Sequence, residues 1–222
     1  MIPDSEEKDG SASLLDASQL ASTLAHELRN PITTLLNLVY LLEHQFDLKH
    51  LDMMKRQLIL CESIISNLLN YGRTHKPVPE TVSIPDLANH VKSLLLIPSN
   101  IQVEIREDSE GARAWVDPGH LRQILINLIQ NAMEALEEAP GRISVEVSRE
   151  RGWIRIDVSD NGPGIAESMN VFEPLATTKK KGLGLGLALS KRLIEANDGK
   201  ITVVSSPGMG SRFSLFLPPS EG

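Results

Sequence analysis

The sequence predicts an α+β protein in two parts, an N-terminal helical hairpin followed by an α/β sandwich in which helices cover one face of a sheet. Three observations carry this. Before residue 73 only one proline follows Pro3, glycine is almost absent, and apolar residues recur at helical spacing. Beyond residue 80, alternating strand-like runs interleave with helical stretches and glycine-bearing turns. Between them RTHKPVPE, Arg73 to Glu80, is polar and proline-bearing and reads as a linker. The expected boundaries are a flexible N-terminal segment over 1–13, the hairpin over 14–72, the linker over 73–80, the second domain over 81–218 and a tail over 219–222.

In the hairpin, Leu24, Leu28, Leu35, Leu38 and Leu42 alternate by four and three with Pro31 as one seam position. Leu51, Met54, Leu58, Cys61, Ile65 and Leu68 continue the pattern, and the polar stretch from His44 to Lys49 is the turn. Two helices with wide apolar stripes cannot cover both sides on each other, so a homodimer with a four-helix bundle is expected. In the second domain, Pro85 opens a helix over 84–96, and IQVEIRE at 101–107 alternates as a strand. Asp117 followed by Pro118 marks a helix start with an N-cap, running to about Ala139. ISVEV and WIRIDV form an antiparallel pair turned through Arg149 to Gly152. A last helix follows the glycines at 182–186, and ITVVSS and SRFSLFL close the domain around Pro207 to Gly210.

Composition narrows the function classes. With 41% hydrophobic and 23% charged residues, the 222-residue chain can bury a core. Cys61 is the single cysteine, which excludes an internal disulfide framework or a multi-cysteine metal site and suits the reducing cytoplasm. A net charge of −7 with two Trp, two Tyr and four Phe opposes nucleic acid as the main partner. The polar, acidic start does not read as a signal peptide, and no run approaches the roughly 18 apolar residues of a membrane span.

Several residues could carry chemistry. With Leu24 and Leu28 in the seam, His26 is rotated about 200° from each and points outward, with Asn30 at i+4 on the same face and Glu27 beside it. A neutral imidazole is a nucleophile at one nitrogen, while a carboxylate stabilises the N–H of the other. On the helix from Pro118, Asn127 and Asn131 lie together at the edge of the stripe Leu121, Ile124, Leu125, Leu128, Ala132 and Ala135, with His120 and Glu134 on that flank. Side-chain amide oxygens are hard ligands suited to Mg²⁺. DNGPGI, Asp160 to Ile165, lets backbone turn sharply against a ligand, and Asp160 can accept a hydrogen bond from an amine. Gly182, Gly184 and Gly186 alternate with leucines before a helix, beside Lys179 to Lys181, and make an anion site. Their spacing is neither that of a Walker A loop nor that of a Rossmann loop. Read one at a time, these remain a solvated histidine, two amides bordering a core, a turn and a glycine-rich flap.

Together and in this order the blocks resemble the transmitter core of bacterial sensor histidine kinases, over roughly Leu14 to Pro218. AHELRNP resembles the H box, INLIQNAMEA the N box, DNGPGI, GLGLGLALS and PGMGSRFSLFLP the glycine boxes, and FEPLATTK the F box. The glycine-rich half is similar also to gyrase-type, mismatch-repair and heat-shock ATPases, from which the histidine hairpin separates it. The resemblance implies a dimerisation and phosphotransfer hairpin joined to an ATP-binding sandwich. His26 would attack the γ-phosphate of ATP, with Glu27 as general base. Asn131, helped by Asn127, would hold Mg²⁺. Asp160 would bind the adenine amine in a pocket shaped by Gly162 and Gly164. Gly182, Gly184 and Gly186 would shape a lid over the phosphates, with Lys179 beside them. Asn127 stands where hydrolytic relatives place a water-activating glutamate, which suits delivery of phosphate to His26. The phosphohistidine would pass to an aspartate of a response-regulator receiver domain, and Asn30 would orient water in the reverse phosphatase reaction. Leu175 and Ala176 stand where related kinases carry aromatic residues, and Glu134 where many carry a basic one. The resemblance includes no sensor domain, so an excised core, or input through the first dozen residues or from a separate protein, is expected. A silent, kinase-like scaffold that binds a regulator is one competing reading, against which the intact Asn131, Asp160 and glycines speak; a serine kinase of the anti-sigma type on the same ATPase fold is another, and it would not need AHELRNP on a paired helix.

Overall fold

The computed structural model describes residues 7–44, 46–51, 53–55, 57, 58, 61, 65, 76–107, 111–136, 140–166, 170–177 and 184–220. By internal contacts the chain divides into Met1–Arg73 with Leu175–Leu185, and Thr74–Pro174 with Gly186–Gly222.

The first unit is built on α1, Glu7–His44. The helix starts inside the stretch expected to be flexible. Once a helix exists, each added residue contributes a hydrogen bond without a new nucleus, so the polar residues ahead of the apolar stripe extend it. Along α1 Pro31 and Leu38 are buried and Leu28, Leu35 and Leu42 half-buried, as the four-three spacing expects of them, while the side chain of Leu24, the first seam position, lies outside the described set. A second stripe, Ile32, Leu36, Val39 and Tyr40, is exposed. Pro31 lies inside the helix and has no N–H for the carbonyl of Glu27. Just beyond it the hydroxyls of Thr33 and Thr34 donate to the carbonyls of Arg29 and Asn30 at 2.8 and 3.0 Å. After α1 the Asp47 carboxylate accepts the N–H of Lys49 at 2.8 Å, and helix resumes at Leu48. Leu68 lies outside the described residues.

The second unit contains β1 (Glu80–Ser83), α2 (Ile84–Leu94), β2 (Ile101–Glu107), β3 (Arg113–Val116), α3 (Pro118–Leu136), β4 (Gly141–Glu150), β5 (Trp153–Asp160), α4 (Gly186–Ala196), β6 (Lys200–Ser205) and β7 (Ser211–Leu217). Five strands form one sheet in the order β2-β4-β5-β7-β6. All neighbours are antiparallel except β2 and β4, which are parallel. The chain between those two passes through β3 and α3, the long crossover that parallel pairing needs. Period-two alternation then sorts the side chains. Val145, Val158, Phe213 and Val203 are paired across four strands, and Val147, Ile156, Leu215 and Ile201 form the next row. Both rows belong to the core, with Ile84, Ala88 and Val91 of α2 and Leu121, Ile124, Leu125, Leu128 and Ile129 of α3. Each fully buried Leu or Ile contributes about 1.5–3 kcal/mol relative to an exposed one. On the outer face Arg155 pairs with Asp157 at 2.9 Å and Glu150 at 2.8 Å.

Local chemistry fixes the joints. Arg151 and Gly152 have φ of 50° and 84°, the left-handed pair of a two-residue hairpin whose twist matches the flanking strands. Asp117 caps α3, its Oδ1 accepting the N–H groups of Gly119 at 2.8 Å and His120 at 3.0 Å. Its Oδ2 accepts the N–H of Val78 at 2.9 Å. Burial pushes the Asp117 carboxyl up, but the N–H groups of Val78, His120 and Gly119 and the charge of His120 outweigh it and hold the pKa below the usual value. β1 and β3, absent from the sequence reading, form a separate two-stranded sheet. The tail joins its edge, with Trp115 N–H donating to the Pro218 carbonyl at 3.1 Å and Ser220 N–H to that of Arg113 at 3.0 Å.

Candidate functional site

The second unit gathers its polar residues where α3 meets α4 and where β5 ends. On α3 the apolar stripe Leu121, Ile124, Leu125, Leu128 and Ala132 is buried, whereas Ala135, expected to continue it, is exposed and Leu136 is buried in its stead; Asn127 and Asn131 at the stripe's edge are half-buried. Asn127 Nδ2 donates to Ser190 Oγ at 2.9 Å, and Asn131 Nδ2 lies 3.4 Å from Asn127 Oδ1 as donor. Gly186 opens α4 directly against this amide, where a Cβ would overlap Asn127 Oδ1 and come within 3.0 Å of its Cγ. The first glycine of α4 is therefore a matter of space.

At the end of β5 the Asp160 carboxylate is half-buried. Its Oδ1 accepts the N–H of Gly162 at 2.8 Å, and Ser211 bonds it through both N–H and hydroxyl. Burial pushes the carboxyl up, and these bonds only partly offset it, so its pKa lies above the usual 3.8. Gly164 has φ of 72°, and a Cβ there would run into the Ser206 carbonyl. Gly210 has φ of 78° and would collide with the Asp160 carbonyl. The β6–β7 turn thus lies on the loop itself: Gly208 N–H donates to the Pro163 carbonyl at 2.7 Å, and Ser205 Oγ accepts the N–H of Ile165 at 2.8 Å.

Asn127, Asn131, Asp160, Gly162, Gly164 and Gly186 are therefore all placed in the second unit. Gly184 belongs to the first, with φ of 61°, its carbonyl accepting the N–H of Leu175 at 3.2 Å. Lys179 and Gly182 lie outside the described residues. His26 and Glu27 lie on α1 with their side chains outside the described set, and Asn30, one turn on, is exposed. His120 faces Asn197, its Nδ1 3.0 Å from the Asn197 amide nitrogen. Ser190, Ser205 and Ser211 are the residues that sequence reading missed. Ser190 left one trace, a hydroxyl four residues after Gly186 in an otherwise apolar helical face.

Among the described residues no three His, Cys, Asp or Glu side chains cluster as metal ligands. The side-chain donors at Asn127 and Asn131 are amide oxygens, which fit a hard cation that keeps its waters and shares ligands with phosphate, as Mg²⁺ does. A transition metal would want imidazole or thiolate.

Residues 16–77 match the family model of the His Kinase A (phospho-acceptor) domain. Residues 116–221 match that of the Histidine kinase-, DNA gyrase B-, and HSP90-like ATPase. The chain belongs to the histidine kinases. As a transmitter core of that family it is 33% identical over 215 residues to Sporulation kinase A of Bacillus subtilis (strain 168), covering 91% of this chain and 34% of the relative. Sensory histidine kinase/phosphatase NtrB of Salmonella typhimurium is 31% identical over 230 residues, 96% of this chain and 66% of the relative. The core thus spans between about a third and two thirds of these two relatives' lengths. Among solved structures, the catalytic domain of histidine kinase ThkA matches at 31% identity with a TM-score of 0.58, over 63% of this chain and 95% of that one. ThkA in complex with response regulator protein TrrA matches at 26% identity with a TM-score of 0.76, over 97% of this chain and 65% of that one. A helical phospho-acceptor region followed by a mixed-sheet ATPase domain is the architecture of this kinase core, matched over 97% of its length by the ThkA–TrrA structure and over the ATPase part by the ThkA catalytic domain.

Proposed function

We propose that this chain is the core of an ATP-dependent protein-histidine kinase that phosphorylates His26 and passes the phosphoryl group to an aspartate of a response-regulator receiver domain. The observation that carries it is the presence, in one chain, of AHELRNP on a long helix and of an ATPase-type sheet unit in which Asp160 ends β5 ahead of Gly164, and Gly186 opens α4 against Asn127, one turn from Asn131. One ring nitrogen of His26 attacks the γ-phosphorus of ATP, an N–P bond forms, and the bond to the oxygen of departing ADP breaks. The Glu27 carboxylate takes or stabilises the proton on the other nitrogen. Asp160 accepts from the adenine amine, and Gly162 and Gly164 let backbone approach the base. Gly182, Gly184 and Gly186 shape a lid over the phosphates with Lys179 beside them. Asn131 and Asn127 hold Mg²⁺ through their amide oxygens. Bound there, the ion neutralises charge on the transferring phosphate. An amide at 127 cannot take a proton from water, which favours transfer to His26 over hydrolysis.

Asn30, exposed one turn from His26, orients water in dephosphorylation of the regulator; the name of the relative NtrB, a kinase/phosphatase, supports this second activity. The exposed stripe Ile32, Leu36, Val39 and Tyr40 is covered by a second copy in a homodimeric four-helix bundle. No described helix is long and apolar enough to cross a membrane, and the core works in the cytoplasm, with input from a sensor elsewhere in its protein or in a partner.

The test is incubation with Mg²⁺ and γ-labelled ATP beside His26→Ala. Label that is acid-labile, alkali-stable and lost with His26 supports the kinase. ATP binding without label, in the presence of an activated sensor, overturns it in favour of the scaffold.

A further inference from the structure

We propose that Ser190 is a positioning residue for the cation site: its buried hydroxyl fixes the Asn127 amide on which that site is built. This rests on the reading of Asn127 and Asn131 as Mg²⁺ ligands. Ser190 is only 2% exposed, on the face of α4 that carries Ala188, Leu189 and Ile194 into the interior. A buried hydroxyl is costly unless it is hydrogen-bonded, and alanine has the higher helix propensity at such a position. The Ser190 hydroxyl oxygen accepts a hydrogen bond from Asn127 Nδ2 at 2.9 Å, across 63 residues of sequence.

The geometry gives that bond a purpose. Gly186 and Ser190 are one turn apart and touch the two ends of a single amide. The oxygen end lies against Gly186, where any Cβ would displace it, and the nitrogen end bonds Ser190. Asn131 Nδ2 then points at Asn127 Oδ1 from 3.4 Å, which sets the polarity, because a flipped amide would face nitrogen with nitrogen. Gly186 makes room, Ser190 holds the plane and Asn131 chooses the face. Without the hydroxyl, Asn127 keeps its place in the helix but loses the bond that fixes its side-chain torsion. Hydrogen-bonded partners behind a metal ligand typically change metal affinity by about 10- to 100-fold when removed.

The experiment compares Ser190→Thr with Ser190→Val, equal in shape and different only in the hydroxyl, with Ser190→Ala as the smaller variant should the larger side chains not fold. Equilibrium binding of a fluorescent ATP analogue to the full chain is titrated with Mg²⁺ and repeated in chelator, beside Asn131→Ala. The Val and Ala variants are expected to need about tenfold more Mg²⁺ than Ser190→Thr, with unchanged affinity in chelator. Equal Mg²⁺ midpoints for Ser190→Thr and Ser190→Val, while Asn131→Ala shifts strongly, overturn the role of Ser190 alone. A wild-type Mg²⁺ response identical to that of Asn131→Ala removes the cation reading itself.

Discussion

The Oδ1 of Asp160 accepts the backbone N–H of Gly162 at 2.8 Å, so the side chain proposed to bind the adenine amine also folds the loop that follows it. Because burial outweighs this bond and those from Ser211, the Asp160 pKa is raised. For a carboxyl raised on folding, the contribution to stability is largest below the unfolded pKa and is lost as pH rises through the folded one. At neutral pH the charged Asp160 therefore opposes folding, and a bound amine donor relieves it. Adenine-nucleotide affinity is expected to fall on acidification at a pH above the ordinary 3.8 of aspartate. Asp160→Asn should weaken binding about tenfold or more and remove that pH dependence. Calorimetric titration with ADP across the acid range checks both, and identical profiles for the two proteins would sink the assignment.

Gly164 and Gly208 both have positive φ, 72° and 78°, in different surroundings. A Cβ at 208 meets nothing within 4 Å, whereas one at 164 meets the Ser206 carbonyl carbon at 2.8 Å. Gly208→Ala should cost only the left-handed strain, about 1 kcal/mol. Gly164→Ala adds displacement of the β6–β7 turn, for a total of about 2–4 kcal/mol, and weakens nucleotide binding. Thermal unfolding of the two variants measures the difference, and equal losses would refute the steric account.

Much of this was legible because it is local. The Asp117–Pro118 start of α3, the period-two runs of β4 and β5, and the Asn127–Asn131 pair at the edge of an apolar stripe each need only a few neighbouring residues. What escaped is non-local. β3 is four residues long, too short to show a period, and its partners Glu80–Ser83 and Pro219 are distant in sequence. The parallel pairing of β2 with β4 leaves no mark on either strand. Gly164 and Gly210 read as turn residues and Gly186 as part of an anion-binding flap, and none of these readings shows the close approach of Ser206, Asp160 and Asn127 that leaves no room for a Cβ. Ser205 was invisible, and the trace left by Ser190 could not be read, because a hydroxyl in a helix or strand does not name its partner across the fold.

The exposed stripe on α1 gives a test of association. Leu36 is 65% exposed, between Ile32 and Tyr40 on the same face. If a second copy covers that face, Leu36→Glu places a charge in the interface and shifts the chain from dimer to monomer at micromolar concentration, with ADP binding retained. Sedimentation equilibrium decides it: a wild-type chain that is already monomeric overturns the four-helix bundle.

Asp117 stands at a junction of three elements. One oxygen caps α3, the other holds Val78 N–H, and its own N–H donates to the Asn197 side chain at 2.8 Å. Asn197 also donates to the Leu193 carbonyl near the end of α4, at 2.7 Å. Asp117→Ala strips the cap and should cost about 1–2 kcal/mol. Asp117→Asn keeps an acceptor for Gly119 and His120, and asparagine caps about as well as aspartate, so its loss at neutral pH should be clearly smaller. The pH dependence separates charge from cap. For a carboxyl lowered on folding, the stabilisation is present above the unfolded pKa and lost as pH falls through the folded one. Wild type should therefore lose stability relative to Asp117→Asn only below the ordinary 3.8, as the lowered carboxyl protonates. Denaturant unfolding of the three proteins at neutral pH and near pH 3 reads this directly. Parallel losses in wild type and Asp117→Asn on acidification would show that the charge on Asp117 contributes nothing to holding this junction.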